Sequence, residues 1–286
     1  MAQQVPPNAA RVSPPGISRW RSSACGTLAR VREPSFRPES VEVLLFDLGG
    51  VVIDIDFRRC FAHWAHSADR DVEELASHFS IDAAYEAHEC GRLPISEYLE
   101  HLRRTLTLAL TDDELLAGWN DIWTGVHADI GVLLTLASDA FPLYAFTNSN
   151  PTHQAVWSQH FAEPLGIFTS TFVSSEIGHR KPERAAFDHV ASIIGALPES
   201  ILFFDDGPEN VTGAREAGMQ AVHVTSTDMV RNALARLGVT EHGTSINRRV
   251  AAPYRRVADV VRGVRRVLAP LARQAGSERV RRGPVV

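Results

Sequence analysis

The sequence predicts an α/β protein, a doubly wound parallel sheet with helices on both faces and a small helical unit inserted after the first strand. Three observations lead there. Short apolar runs ended by polar or glycine signals recur along the chain, segments with apolar residues every three or four positions lie between them, and one interval of purely helical periodicity breaks the alternation. Strand and helix in alternation imply crossover connections, which lay successive strands parallel in one sheet.

Taken in order, residues 1–40 are rich in Pro, Ser, Ala and Arg, and a stretch such as RVSPPGISRW buries too little apolar area to order itself. A disordered basic extension is expected there, because its prolines fit poorly with the amphipathic helix of a targeting peptide. VEVLLFDLGGVV, from residue 41, reads as a buried strand stopping at a glycine turn. The insertion at 57–130 contains FRRCFAHWAHSA, DVEELASHFSI, ISEYLEHLRRTL and TDDELLAGWNDIW, helical in period and without a convincing strand. Within it, Thr111 followed by Glu114 has the spacing of a capping box.

Further strands are expected in FPLYAFTNSN (141–150), FTSTFVSSE (168–176), ILFFDDG (201–207) and QAVHVT (220–225), each rich in β-branched or aromatic residues. Helices are expected in PERAAFDHVASIIGAL (182–197) and PENVTGAREAGM (208–219). Residues 41–56 and 131–247 then make the α/β core. Residues 248–286 form a basic tail, partly helical, with Val257, Val261, Val264 and Leu268 on one stripe among arginines.

A net charge of −5 conceals an uneven distribution. Residues 1–40 carry six Arg against two acids and residues 248–286 eleven against two, which leaves 12 basic and 30 acidic residues in 41–247. So acidic a body argues against nucleic acid as the partner of the central domain, and the tail is expected to lie near that body rather than on a membrane. No apolar run approaches the ~18 to 20 residues of a membrane span and the N-terminus lacks an apolar signal core, so a cytoplasmic location is expected. Cys25, Cys60 and Cys90 match no CxxC spacing, so neither a disulfide nor structural zinc is expected. Arginine supplies all the basic residues but one; Lys181 is the sole lysine, and its persistence against that bias marks it for a role.

In a doubly wound sheet the C-terminal ends of the strands share one edge, where ligands bind. Asp47, Thr147 with Asn148, Lys181, and Asp205 with Asp206 all sit at or just beyond such ends. One acid at a strand end is more often a turn residue or a helix cap, but four polar signals at successive ends are expected to converge. Asp47 and Asp206 brought close together invite a cation, and an all-oxygen site suits Mg²⁺. The Thr147 hydroxyl and turn N–H groups can hold phosphoryl oxygens, and Lys181 adds a point charge.

FDLGGVV, FTNSN, SSEIGHRKPE and FFDDGPENVTGA, covering about 41–225, resemble in order and spacing the four motifs of the haloacid dehalogenase-like (HAD) superfamily of phosphohydrolases. The opening followed by DID, with HECGRLPISEYLEHL in the insertion, is most similar to a bacterial subgroup of sugar-phosphate phosphatases that includes a glucose-1-phosphate phosphatase. The resemblance implies a Rossmann-type core of strand order 5-4-1-2-3, with the insertion as a cap that excludes water and selects substrate. It implies an aspartyl-phosphate on Asp47, magnesium held by Asp47, the Gly49 carbonyl and Asp206, and support from Asp205 and Asn210. Thr147 and Asn148 would hold the transferring group while Lys181 orients Asp47. The function so implied is hydrolysis of a small phosphorylated metabolite.

One departure matters. Most phosphatases of the superfamily carry an acid two positions after the nucleophile, where this chain has Gly49. A preference for esters with better leaving groups is therefore expected, unless Asp54 or Asp56 supplies a proton through water. His63, His66, His88 and Glu89 of the insertion could touch the sugar or other leaving group, but lone histidines in such a unit are usually ordinary surface or packing residues, and the four are left out of the site. A metal-independent dehalogenase, which also attacks with an aspartate and lacks the second acid, is an alternative that the paired acids of FFDDG disfavour. A non-catalytic binding protein of the same fold is another, disfavoured by the intact Asp47, Lys181 and Asp206.

Overall fold

The computed structural model describes residues 36–126 and 128–240. Four consecutive apolar residues form β1 (Val43–Phe46), and all four are fully buried, as a central parallel strand covered on both faces requires. The chain continues through β2 (Ile53–Ile55) into five helices, α1 (Phe57–Ala68), α2 (Val72–His78), α3 (Ala83–Glu89), α4 (Ile95–Leu106) and α5 (Asp112–Trp119). β3 (Trp123–Val126) and α6 (Ala128–Ser138) lead to β4 (Leu143–Thr147), α7 (Pro151–His160), α8 (Ala162–Leu165), β5 (Ser170–Val173) and α9 (Ser174–Ile177). The last elements are α10 (Arg184–Ile194), β6 (Ile201–Asp205), α11 (Pro208–Glu216), β7 (Gln220–His223) and α12 (Thr227–Arg236).

Five strands form one parallel sheet in the order β5-β4-β1-β6-β7. Counted along these five alone, that is the 5-4-1-2-3 order implied by the family resemblance. Side-chain alternation along β1 sets the layers. Leu44 and Phe46 share one cluster with Ile130, Leu133 and Leu134 of α6 and Val230 and Leu234 of α12. Val43 and Leu45 face the other way and share a cluster with Phe187 and Val190 of α10 and Val211 and Ala214 of α11.

The helices α1 to α5 build a core of their own from residues between Phe57 and Ile122. Trp64 and Trp119 stack at its centre with ring centroids 6.3 Å apart, and the Trp64 indole N–H donates to the Leu115 carbonyl. Helix starts here are written in the sequence. Asp56, Asp71 and Asp82 each accept a backbone N–H at the head of α1, α2 and α3, and Thr111 with Glu114 closes the capping box that their spacing predicts.

Three boundaries differ from the sequence expectation. The interval 57–130 does contain a strand, because β3 pairs antiparallel with β2 in a separate two-stranded ribbon; its residues are only partly buried, which removes the alternation that would reveal it. α6 starts before residue 130, and Ile130 packs on the main sheet, so the helical unit ends short of that residue. Residues 36–40, read as part of a disordered extension, fold onto the body: Phe36 is buried beneath the Arg236 guanidinium at 4.2 Å from its ring centre, and Arg236 Nη2 donates to the Phe36 carbonyl. The rest of that extension, Cys25 and the tail at 248–286 lie outside the described residues. Cys60 and Cys90 are free and buried. Among the described residues no helix is long and apolar enough to cross a membrane.

Candidate functional site

β1, β4 and β6 end on the same edge of the sheet, and their parallel register brings Asp47, Thr147 and Asp205 to that edge together. Asp47 follows directly on β1, anchored by its N–H donating to the Phe204 carbonyl. Its Oδ1 accepts the Leu48 N–H at 2.7 Å and lies 2.9 Å from Lys181 Nζ. Lys181 is only 1% exposed, and its ammonium also donates to Asp205 Oδ2 at 2.7 Å and to the Phe146 carbonyl at 2.9 Å. The rings of Phe146 and Phe203 stand 5.2 and 5.3 Å from it. So enclosed an ammonium persists only because it is paired: burial opposes its charge, but Asp205 and Asp47 hold its pKa above the ordinary lysine value.

The two adjacent acids at the end of β6 are engaged differently. Asp205 is fully buried and its oxygens are taken by protein donors, Oδ2 by Lys181 and Oδ1 by the Gly207 N–H and Asn210 Nδ2. Asp206 faces the cavity. Gly50 lets the turn approach it: the residue has φ of 79°, and a Cβ there would come within 2.3 Å of Asp206 Oδ2. Oxygens of Asp47, Asp205 and Asp206 can all lie within 4.8 Å of one another. Burial, and then the neighbouring Asp205 and Asp206, push the Asp47 carboxyl well above the usual range against the pull of Lys181. Three carboxylates facing one ammonium are short of positive charge, and this oxygen-only donor set fits a hard divalent cation.

The cavity over these groups is about 70 Å³. Thr147 and Asn148 line its floor with Asp47, Gly49, Lys181, Asp206 and Asn210. The Asn148 side chain is committed elsewhere, clamping the Lys181 backbone by Nδ2 to its carbonyl and Oδ1 from its N–H, both at 2.9 Å. What Asn148 has left to offer a ligand in the cavity is therefore its main chain. Asn150 caps α7 by accepting the His153 N–H.

Neither Asp54 nor Asp56 lines the cavity; the residue between them, Ile55, does. Strand alternation explains this, and Asp56 is occupied as the N-cap of α1. Ile55 also explains Gly49: a Cβ at Gly49 would meet Ile55 Cδ1 at 3.3 Å, so the direction in which a longer acidic side chain would start is filled by this isoleucine. Two residues outside the sequence-predicted site do reach the cavity, Glu89 at the end of α3, which the sequence reading sets aside, and Arg180 just before the lysine. Arg180 Nε donates to Glu89 Oε2 at 3.0 Å and Nη1 to Glu86 Oε1 at 2.9 Å. The available signal was Arg180 beside the unique lysine and Glu89 within the HECG segment; their pairing across 91 positions was not visible. His88 is buried and stacked on Tyr98, whereas His63 and His66 stay away from the cavity.

His153 ties the two units together: its Nε2–H donates to the Trp119 carbonyl at 2.8 Å and its Nδ1 accepts from the Asn150 amide at 3.0 Å. Burial lowers its pKa to about 3, the Trp119 carbonyl opposing the shift. Because this folded value lies below the ordinary 6.5, the unfolded chain binds the extra proton, and stability present above pH 6.5 is lost as pH falls toward 3. The loss is at most about 5 kcal/mol. Thermal unfolding from pH 8 to 4 should show a decline in the wild type that is shallower in His153→Gln; equal slopes would disprove the assignment.

A family model described as haloacid dehalogenase-like hydrolase matches residues 41–218. D-ribitol-5-phosphate phosphatase of Bacteroides thetaiotaomicron is 25% identical over 187 residues, spanning 63% of this chain and 90% of that protein. A phosphatase of Mycobacterium tuberculosis is 27% identical over 206 residues, spanning 69% and 93%. Among solved structures, a HAD family enzyme of B. thetaiotaomicron in complex with magnesium and inorganic phosphate is similar with a TM-score of 0.55 and 27% identity, over 64% of this chain and 93% of that one.

Proposed function

The chain belongs to the haloacid dehalogenase-like hydrolases, and from that membership we propose that it is a magnesium-dependent phosphatase of small phosphate monoesters, sugar phosphates among them, acting through an aspartyl-phosphate on Asp47. The observation that carries the reading is the buried lysine bonded to both Asp47 and Asp205 at the edge where Asp206 faces the cavity. Relatives named as phosphatases, and a similar structure holding magnesium and phosphate, support it.

In this reading one Asp47 oxygen attacks phosphorus while Lys181 holds the carboxylate in line and offsets its charge. The Thr147 hydroxyl and the Asn148 N–H receive the phosphoryl oxygens. Asp47, the Gly49 carbonyl and Asp206 would hold Mg²⁺, which when bound neutralises charge on the phosphoryl group. Asp205 and Asn210 brace the lysine and the acidic loop from beneath. The helices between β2 and β3 act as the cap, and the small cavity beneath them suits a compact metabolite once the cap has opened to admit it.

Chelation with EDTA should abolish turnover of a phosphorylated-metabolite panel, and magnesium should restore it. Asp206→Ala is expected to weaken magnesium binding, measured by calorimetry, by at least about tenfold, with activity partly recovered at high metal. Turnover unaffected by chelation, or release of halide from 2-haloacids, would replace this reading with the dehalogenase one.

A further inference from the structure

We propose that Glu89 is the proton donor to the leaving oxygen, and in the second half-reaction the base for the attacking water, in place of the carboxyl absent at Gly49. This rests on the phosphatase reading above. The cavity itself leaves little choice. Of the titratable side chains lining it, Asp47, Asp206 and Lys181 have other tasks and Arg180 keeps its charge throughout. His153 has both ring nitrogens engaged and stays neutral, and burial raises the Tyr85 phenol far above the range of a useful acid. Asp54 and Asp56 are outside the cavity, and Ile55 fills the way out from Gly49. Glu89 alone remains.

Its surroundings suit both protonation states. Glu89 is only 5% exposed, and its carbonyl is pinned by the Ser174 hydroxyl at 2.6 Å, which fixes the end of α3 over the site. Arg180 and Lys181 act on its charge and the Tyr85 phenol is a hydrogen-bond partner; Glu89 in turn bears on Tyr98 and Cys90, and Glu86 shares Arg180. Burial outweighs the cations and raises the Glu89 carboxyl above the ordinary glutamate value, so it holds a proton longer than an exposed glutamate. Once the proton is given up, Arg180 at 3.0 Å balances the carboxylate.

In the first half-reaction an Asp47 oxygen bonds to phosphorus as the ester P–O bond breaks. The bonding pair stays on the departing oxygen, which takes the Glu89 proton and leaves as a neutral alcohol. In the second, the Glu89 carboxylate takes a proton from water as the water oxygen bonds to phosphorus. The P–O bond to Asp47 then breaks, its electron pair returns to the aspartate, and phosphate leaves with Glu89 protonated again.

The test compares the full-length wild type with Glu89→Gln, magnesium-saturated, in single turnover across phosphate esters graded from alkyl to 2,4-dinitrophenyl. Wild type should depend weakly on leaving-group pKa. The variant should lose about 10² to 10³-fold on the alkyl ester, with the deficit narrowing as the leaving group improves, and should lack the wild-type basic limb in kcat/KM. Glutamine keeps a partner for Arg180, and the Ser174 bond is to the main chain, so the fold should be retained. A steep wild-type series overturns the proposal without any variant, and so does a deficit that is uniform along the series or absent. No magnesium-dependent turnover by the wild type on any ester would instead overturn the phosphatase reading, and this proposal with it.

Discussion

Asp47→Asn is expected to lower turnover by roughly 10⁴ to 10⁶-fold while leaving the protein folded. The amide is isosteric, its Oδ1 can still accept the Leu48 N–H, and Lys181 retains Asp205, so no buried charge is orphaned. In the proposed mechanism what disappears is the nucleophile, because a neutral amide oxygen does not displace an alkoxide from phosphorus at a useful rate. Acid-quenched mass spectrometry should find a phosphorylated residue 47 in the wild type under turnover and none in the variant. Near-normal turnover in a correctly folded variant would sink the covalent mechanism.

Lys181→Met should cost both activity and stability. Lys181 is completely enclosed and bonded to two carboxylates that are themselves buried, so removing it leaves Asp47 and Asp205 uncompensated. Breaking such a pair from one side destabilises by about 3–5 kcal/mol, a large part of the stability of an ordinary domain. The sign with pH follows from the raised lysine pKa. In the wild type the contribution is complete below 10.5, the ordinary lysine value, and is lost only as pH rises through the higher folded value. The variant deficit should therefore be full at pH 7. It should shrink in acid, as the Asp47 carboxyl, which burial already raises above the usual range, takes up a proton. Lys181→Arg keeps the charge but should not restore activity, since the ammonium is fully enclosed and bonded at once to Asp47, Asp205 and the Phe146 carbonyl, contacts that a larger planar guanidinium does not reproduce. A urea midpoint for Lys181→Met equal to wild type would refute the buried-charge argument.

What could be read from the sequence followed from locality. The sheet strands are short apolar runs stopped by a polar residue, and because all parallel strands end at one edge, Asp47, Thr147, Lys181 and Asp206 could be placed together from their position after such runs. The separation of Asp205 from Asp206 also had a local cause, since neighbours on an extended strand point to opposite sides. The rest depended on contacts between distant parts of the chain. Phe36 is held by Arg236 from 200 positions away, so nothing near it signals order. β3 pairs outside the main sheet and lacks a buried face. Glu89 reads as one more acid on an acidic helical segment until the fold sets it against Arg180. Asp54 and Asp56 looked suitable as proton donors because sequence proximity to Asp47 gives no indication that Ile55, not they, turns inward.

A sole lysine that is 1% exposed also gives this protein an unusual surface chemistry. Apart from that lysine, every permanently charged cationic side chain is a guanidinium, so acylating reagents, aldehyde crosslinkers and lysine-directed enzymes meet no exposed side-chain amine. The one ε-amine lies at the floor of the cavity, paired with Asp47 and Asp205, so only a reagent small enough to enter beneath the cap meets it in the folded protein. Acylation of Lys181 by a bulky reagent would therefore mark molecules that have unfolded, and by removing the charge that offsets Asp47 and Asp205 it would hinder their return.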